Sequence, residues 1–551
     1  MSAAPRSSPA PPDAPAGVNF ESDTEKGSHV AEPVAGEMKR SLTLTGITVN
    51  AMALIAPGAF LWTTFQIQAS QKGGSTAPDM WTGLLFSLVL ALLTAYSYSE
   101  LARVYPDAGT GSSYYFAEAA LLEKESPQHR SYARAAKLTV GWISHLYYWL
   151  YPAIMVGFMG ILFGYIYGAV FHHTLTYIPQ AIAAVLLALV CGYIAYRGVS
   201  GSTMTSIVIN VVQITCLVLV SILFIGYRIG HGHEIYALAN AGKVVIPHSL
   251  IHVIYQSTIA ILLLVGFESV TALGAEAIRP EKDIKKGILL SLIIQGGVCY
   301  LFEYFAANFA VSTTTTANPA LALPKGAPLL GGYANSALDP APIGTMIHNI
   351  AEKSLGHTGT TVSLIVAATV LMALLGTTLA CLNTGVRVTY AMAKDKEMPG
   401  ILGLLHGKFA TPHGGILILT MLSAAIGVYC ATPWNVDNIT QITVASNTGT
   451  FLVYGMSCVI TIIAFAHRHD RHLLKHYIVP GVGALMNLGE LFGVVYLAVT
   501  AGGATSKDAY KSLAIVGGWI VLGVIWVAVN PAMRGQKVKH DPGRKELVTV
   551  A

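Results

Sequence analysis

The sequence predicts an all-α membrane protein with twelve transmembrane helices. Three observations lead there: a shortage of charge, a series of apolar stretches of spanning length, and an uneven distribution of lysine and arginine along the chain. Of 551 residues, 53% are hydrophobic and only 11% are charged. A soluble domain carries about 25% charged residues. So much apolar surface with so little charge to coat it has to face lipid.

A spanning helix needs about 20 mostly apolar residues. Such stretches lie at 43–66, 81–104, 138–169, 178–196, 204–228, 251–278, 287–311, 360–387, 413–431, 441–466, 477–500 and 512–531. The run 138–196 holds no Asp, Glu, Lys or Arg and is too long for one span, so it divides at Phe171-His172-His173. With the N-terminus inside and the helices alternating, only Lys72, Arg228, Lys243, Lys325, Lys353, Lys507 and Lys511 fall outside, out of 33 Lys and Arg residues. That asymmetry obeys the positive-inside rule and puts both termini in the cytoplasm. The net charge of +5 therefore reflects topology rather than a nucleic-acid partner.

Residues 1–38, rich in Ala, Pro and Ser without an apolar core, read as a disordered cytoplasmic tail rather than a signal peptide. Residues 39–531 form the membrane domain, and 532–551 a polar, basic cytoplasmic tail. The one long outside loop, 312–359, holds a short helix at 343–354. Cys191, Cys216, Cys299, Cys381, Cys430 and Cys458 all fall in or beside apolar segments without CxxC spacing, so they read as packing residues.

Two spans carry features that break a helix at mid-membrane. The first contains Ile55-Ala56-Pro57-Gly58-Ala59, where proline removes a backbone donor and clashes with the preceding turn. The sixth contains Val265-Gly266-Phe267-Glu268-Ser269, and a charge there costs at least about 3 kcal/mol. Helices one and six are corresponding members of two five-helix halves. Paired interruptions of that kind point to an inverted-repeat transport site. The half-helix after each break offers N–H groups and a positive dipole end, and the half before it offers carbonyls. A zwitterion suits such a site.

Four stretches resemble the amino acid–polyamine–organocation transporter family. They are Ile55–Phe60; Tyr98-Ser99-Glu100-Leu101 through Tyr105-Pro106-Asp107-Ala108-Gly109-Thr110-Gly111; Gly266-Phe267-Glu268-Ser269-Val270 through Arg279-Pro280-Glu281-Lys282-Asp283-Ile284; and Asn383-Thr384-Gly385-Val386-Arg387 through Ala391-Met392-Ala393-Lys394-Asp395-Lys396-Glu397-Met398-Pro399. The resemblance implies a five-plus-five inverted repeat with discontinuous helices one and six. The halves would be about 43–228 and 251–466, with peripheral helices at about 477–531. It implies a permease moving amino acids by proton symport or exchange, or polyamines on the same fold. Pro57, Gly58 and Ala59 would meet the substrate carboxylate. The carbonyls near Leu54, Ile55, Val265, Gly266 and Phe267 would meet its amine, Phe267 would cover it, and Glu268 would gate or couple. Glu100 would pair with Arg103 or Arg387, or remain a surface charge.

Two departures matter. Pro57 removes an N–H that would hold a carboxylate, which keeps amines among the candidates. Gln213 stands where some members carry a sodium-replacing lysine, so coupling shifts toward exchange or Glu268. Structural roles are expected for His145, Glu303 and Glu490, an interfacial role for His252, and packing for Tyr147–Tyr151. Ser446-Asn447-Thr448 either lines the cavity or joins helices. No HExxH, GxSxG or nucleotide-binding motif occurs, so neither an enzyme nor a cofactor is expected. The partners are then a small solute, protons and the bilayer. The Ala/Gly-rich character points to a bacterial inner membrane.

Overall fold

The computed structural model describes residues 42–55, 61–106, 111–122, 131–198, 203–231, 241–273, 277–311, 332–407, 409, 411–431, 436–530, 537–539 and 548–550. All belong to one compact unit, Lys39–Ala551. Eleven helices among the described residues are long and apolar enough to cross a membrane. The first predicted span falls on two shorter helices, α1 (Leu44–Ile55) and α2 (Leu61–Ser70). The residues between them, with the predicted break at Ala56-Pro57-Gly58 and also Ala59, lie outside the described residues.

The other spans follow the apolar pattern closely. They begin with α3 (Met80–Val104), which the short helix α4 (Ser113–Leu122) follows, and α5 (Ser131–Phe171). The break predicted at Phe171-His172-His173 is there: His172 turns the chain with φ +56° before α6 (Tyr177–Arg197) begins. Then come α7 (Thr203–Gly230), the short α8 (Ala241–Val245) and α9 (Leu250–Ala260). The seventh span is α10 (Pro280–Leu292), a π-helical stretch at Ile293–Tyr300, and α11 (Leu301–Val311). In the 312–359 loop lie α12 (Tyr333–Leu338) and α13 (Pro342–Ser354), the latter close to the predicted 343–354. The last spans are α14 (Gly359–Lys394), α15 (His413–Cys430), α16 (Asp437–Phe465), α17 (Val479–Thr500) and α18 (Gly503–Val529). In the C-terminal tail, read from sequence as merely polar, β1 (Lys537–Lys539) pairs antiparallel with β2 (Val548–Val550). Both strands carry β-branched valine, which favours pairing.

The sixth span is interrupted where the sequence placed the break. After α9 the chain tightens into a 3₁₀ turn at Ile261–Leu263 and resumes as another at Phe267–Leu273. Between them Gly266 has φ +116°, a region that L-residues with a Cβ rarely enter. A Cβ at Gly266 would also lie 2.8 Å from Leu54 Cβ. The end of α1 and the break in the sixth span therefore touch. Around this junction α5 lies close against α15 and α16. A Cβ on Gly157 would sit 2.6 Å from that of Cys430, and one on Gly449 would sit 2.8 Å from that of Leu146. Small residues at these points let apolar helices approach in lipid, where packing replaces the hydrophobic effect.

At the far end of α14 a buried ionic cluster ties three elements together. Lys137 Nζ on α5 lies 3.0 Å from Glu118 on α4 and 2.6 Å from Asp395. The Tyr114 hydroxyl lies 2.8 Å from both Asp395 and Glu397. Three carboxylates face one ammonium, so the cluster is stable only if it holds a proton. Burial raises the Glu118 carboxyl and pushes that of Glu397 up to about 7.

Two outcomes follow. Gly266→Ala should destabilise the purified protein by about 1–3 kcal/mol through backbone strain, read as a lower melting temperature. Gly226→Ala, whose added Cβ meets nothing within 4 Å, should not. Equal melting temperatures for the two variants would contradict the strained junction. Glu397 binds its proton more tightly in the fold than in the unfolded chain. The stability it contributes is full below the ordinary carboxylate value of 4.5 and is lost as pH rises through about 7. The melting temperature should therefore fall across that window in the wild type and fall less in Glu397→Gln. An unchanged slope in the variant would count against the cluster.

Candidate functional site

Glu268 begins the second half of the broken sixth span and is 1% exposed. Its carboxylate closes the break it sits in. Oε2 accepts the Gly266 N–H at 3.1 Å and the Tyr454 hydroxyl of α16 at 2.7 Å, and Oε1 accepts the Tyr147 hydroxyl of α5 at 2.6 Å. Three spans thus converge on one acid. No lysine, arginine or histidine ion-pairs with it among the described residues, so these donors are what offsets its desolvation.

The neighbouring groups form an aromatic enclosure. Phe267 packs on Tyr454 with ring centroids 5.2 Å apart, and on Tyr98 at 6.1 Å. Tyr147 packs on Tyr148 at 4.4 Å and on Tyr151 at 5.6 Å. Every one of these rings is buried, so the enclosure is shut around the acid. Rings of this kind suit an ammonium group, which their faces attract.

Several carbonyls at the breaks have side-chain partners among the described residues. Ile55 O accepts the Tyr300 hydroxyl at 2.5 Å, and Leu262 O accepts that of Tyr151 at 3.1 Å. Ala53 O accepts Thr377 at 3.0 Å, and Thr258 O accepts the Asn447 amide at 2.7 Å. Gly266 O accepts the Ser269 hydroxyl at 2.6 Å. Asn447 therefore joins helices, and it does so beside the break.

The sequence-predicted site residues divide into groups. Ile55, Val265, Gly266, Phe267, Glu268 and Ser269 come together at the junction. Ala56, Pro57, Gly58 and Ala59 lie outside the described residues. Gln213, on α7, is elsewhere: it lines a small cavity with Trp62 and Glu303. Glu100 is a third, separate place. It is buried rather than a surface charge, and it pairs with Arg103 at 2.8 Å and with Lys285 of α10. Arg103 also reaches Asp470 at 3.1 Å, so this ionic lattice joins α3, α10 and the 466–473 loop. The alternative pairing of Glu100 with Arg387 does not form.

Reading from sequence assigned Tyr147–Tyr151 to packing. The rings do pack, and two of them also donate hydrogen bonds: Tyr147 to Glu268 and Tyr151 to Leu262 O. The signal was their spacing, since positions i and i+4 share one helix face. Tyr454 carried no signal in sequence beyond lying on a span. His145 behaves as expected, buried between Gly141 O at 2.6 Å and Thr389 at 3.0 Å. His252 stands 3.6 Å from buried Asp79 at the mouth of α9. Glu490 takes the Ser257 hydroxyl.

A second cavity opens on the same face as α12 and α13. Asp437, Asp508, Thr440, Gln71 and Thr258 are among its lining. From it a polar stripe descends α16. Thr440, Thr443 and Asn447 are buried, and each has a side-chain oxygen without a hydrogen-bond partner. Thr440, Asn447 and Tyr454 recur every seven residues, so they lie on one helix face. The stripe ends at Tyr454, which holds Glu268.

Comparison with known proteins agrees with this architecture. The chain is similar to the branched-chain amino acid permease BcaP of Bacillus subtilis (strain 168). The two are 24% identical over 468 residues, covering 82% of this chain and 85% of that one. It is similar to the low-affinity putrescine importer PlaP of Escherichia coli (strain K12), 25% identical over 480 residues, covering 84% and 92%. It is also similar to the methylthioribose transporter of B. subtilis (strain 168), 24% identical over 407 residues, covering 72% and 77%. These relatives are transporters rather than enzymes. The profile described as "Amino acid permease" matches residues 41–525, and the chain belongs to the amino acid permease family, as a multi-pass membrane transporter.

Proposed function

We propose that this permease carries amino acids across the bacterial inner membrane by alternating access, with both termini cytoplasmic. The observation that carries the reading is the single buried acid at the break in the sixth span, ringed by aromatic side chains and reached by the stripe on α16. A substrate ammonium takes the place of the tyrosine hydroxyls on Glu268. Pro57, Gly58 and Ala59 supply the other pole, toward the substrate carboxylate. The fold that supports this is a twelve-span, five-plus-five inverted repeat in residues 39–531. Substrate enters the cavity beside Asp437, passes Thr440 and Asn447, and reaches the enclosure once Phe267 and Tyr454 part. Proton symport and exchange both fit this route.

A second reading is favoured by one observation. Asp437 and Asp508 line the outer cavity, and their paired charge would gather a dication such as a diamine. One similar transporter is a putrescine importer.

The test is uptake into proteoliposomes of a radiolabelled panel holding the standard amino acids, putrescine, spermidine and γ-aminobutyrate. It is run with and without a proton gradient and with and without internal substrate. Saturable amino acid uptake is expected. A hydrogen bond to a charged group is worth about 1.5–3 kcal/mol, so Glu268→Gln should weaken apparent affinity roughly tenfold to a hundredfold. Uptake of diamines alone would select the second reading. Full uptake by Glu268→Gln would contradict both.

A further inference from the structure

Glu303 lies on α11, just beyond the π-helical stretch, and is 2% exposed. Its Oε2 has no hydrogen-bond partner. Gln213 on α7 is 5% exposed, and its Nε2 has no partner either. Both line a cavity that Trp62, Ile347 and Thr369 also line. An acceptor and a donor, each buried and unsatisfied, thus share one cavity without meeting. Other buried polar atoms among the described residues also lack a partner, but these two, each costing about 1–3 kcal/mol unpaired, face the same cavity.

An ionised carboxylate in the membrane with no partner costs more than a neutral one. The arrangement seen here suits the neutral acid. When the acid loses its proton, the Gln213 amide can turn across the cavity and donate to it. Two states then exist, protonated and apart as seen here or ionised and joined, and the second pairs the donor and the acceptor that the first leaves open. π-Helical stretches like the one beside Glu303 often mark functional positions.

We propose that Glu303 and Gln213 form a proton-binding site, separate from Glu268, between α7, α11 and the outer half of the first span. The ligand is one proton, taken up by the Glu303 carboxylate as the Gln213 amide withdraws. Trp62 gives the site a mechanical partner. Its ring packs edge-on against Tyr165 of α5 at 5.1 Å, and a Cβ on Gly344 of α13 would lie 2.3 Å from it. A change in the cavity therefore bears on α2, which follows the break in the first span. Among the described residues the only other titratable group lining the cavity is Cys216. Cys299, Tyr300 and Tyr304 flank Glu303 on its own span, and Tyr300 and Tyr304 already donate to Ile55 O and Gln68. On α7 the nearest cation, Arg228, lies over Phe309, toward the end of α11. α3 and α8, also packed on α11, bring no titratable group into the cavity.

The test is an infrared pH titration of the full-length protein in lipid, following the carbonyl band of a protonated carboxylic acid. It is run in choline and in sodium buffers and needs no transported substrate, so it stands or falls apart from the proposed function. The band lost as pH rises should contain a component present in the wild type and in Glu268→Gln and missing from Glu303→Gln, apart from the component of Glu118 and Glu397 that all three share. Gln213→Met keeps the acid and removes the donor, so the loss should move roughly one to two pH units higher. Three results would overturn the proposal: a band that persists at all pH, a midpoint unmoved in Gln213→Met, or a band displaced by sodium at fixed pH.

Discussion

The structure depends on how one carboxylate is held at a broken helix. In lipid, a backbone that leaves the helix must find new partners for its polar groups. Glu268 answers part of that need itself, since its side chain accepts the N–H of Gly266 two residues earlier. It then draws Tyr147 and Tyr454 from two other spans onto the same point. The break, the acid and the aromatic enclosure are therefore one unit. Removing the charge would loosen the junction of α5, α16 and the sixth span as well as alter what can bind there.

The close approach of Leu54 to Gly266 extends this unit to the first span. Neither half of the sixth span can move far without carrying the end of α1. Further out, two ionic lattices brace the end of the bundle away from the 312–359 loop. One is built on Glu100, Arg103 and Lys285, the other on Lys137, Glu118 and Asp395. Both draw residues from the motif stretches of the sequence. In these stretches the charged residues join helices to loops, while the junction at Gly266 holds one acid and no paired cation among the described residues.

Much of the fold was legible in the sequence because the bilayer imposes a length. Stretches of about 20 apolar residues gave the spans, and Gly266 gave the break in the sixth one. The bound of the twelfth was less clear. α18 begins at Gly503, nine residues before the predicted 512, because the polar segment Thr505-Ser506-Lys507-Asp508 is helical without being apolar. The candidate site was legible where backbone chemistry writes it, at Gly266 and Glu268. It was not legible where only tertiary contact decides. Tyr147 and Tyr454 are more than a hundred residues from Glu268 in sequence, and a tyrosine on an apolar face looks the same whether it fills space or holds an acid. Gln213 and Glu303 came from separate spans, and only the shared cavity relates them.

The central claim is that the substrate's charged group binds Glu268 inside the aromatic enclosure. It is tested most directly by a single-particle structure of the protein in lipid nanodiscs at saturating concentration of a transported amino acid. The account expects the substrate ammonium within hydrogen-bond distance of the Glu268 carboxylate, with Tyr454 or Tyr147 displaced from it. Substrate seated elsewhere, with all three donors still on Glu268, would contradict it.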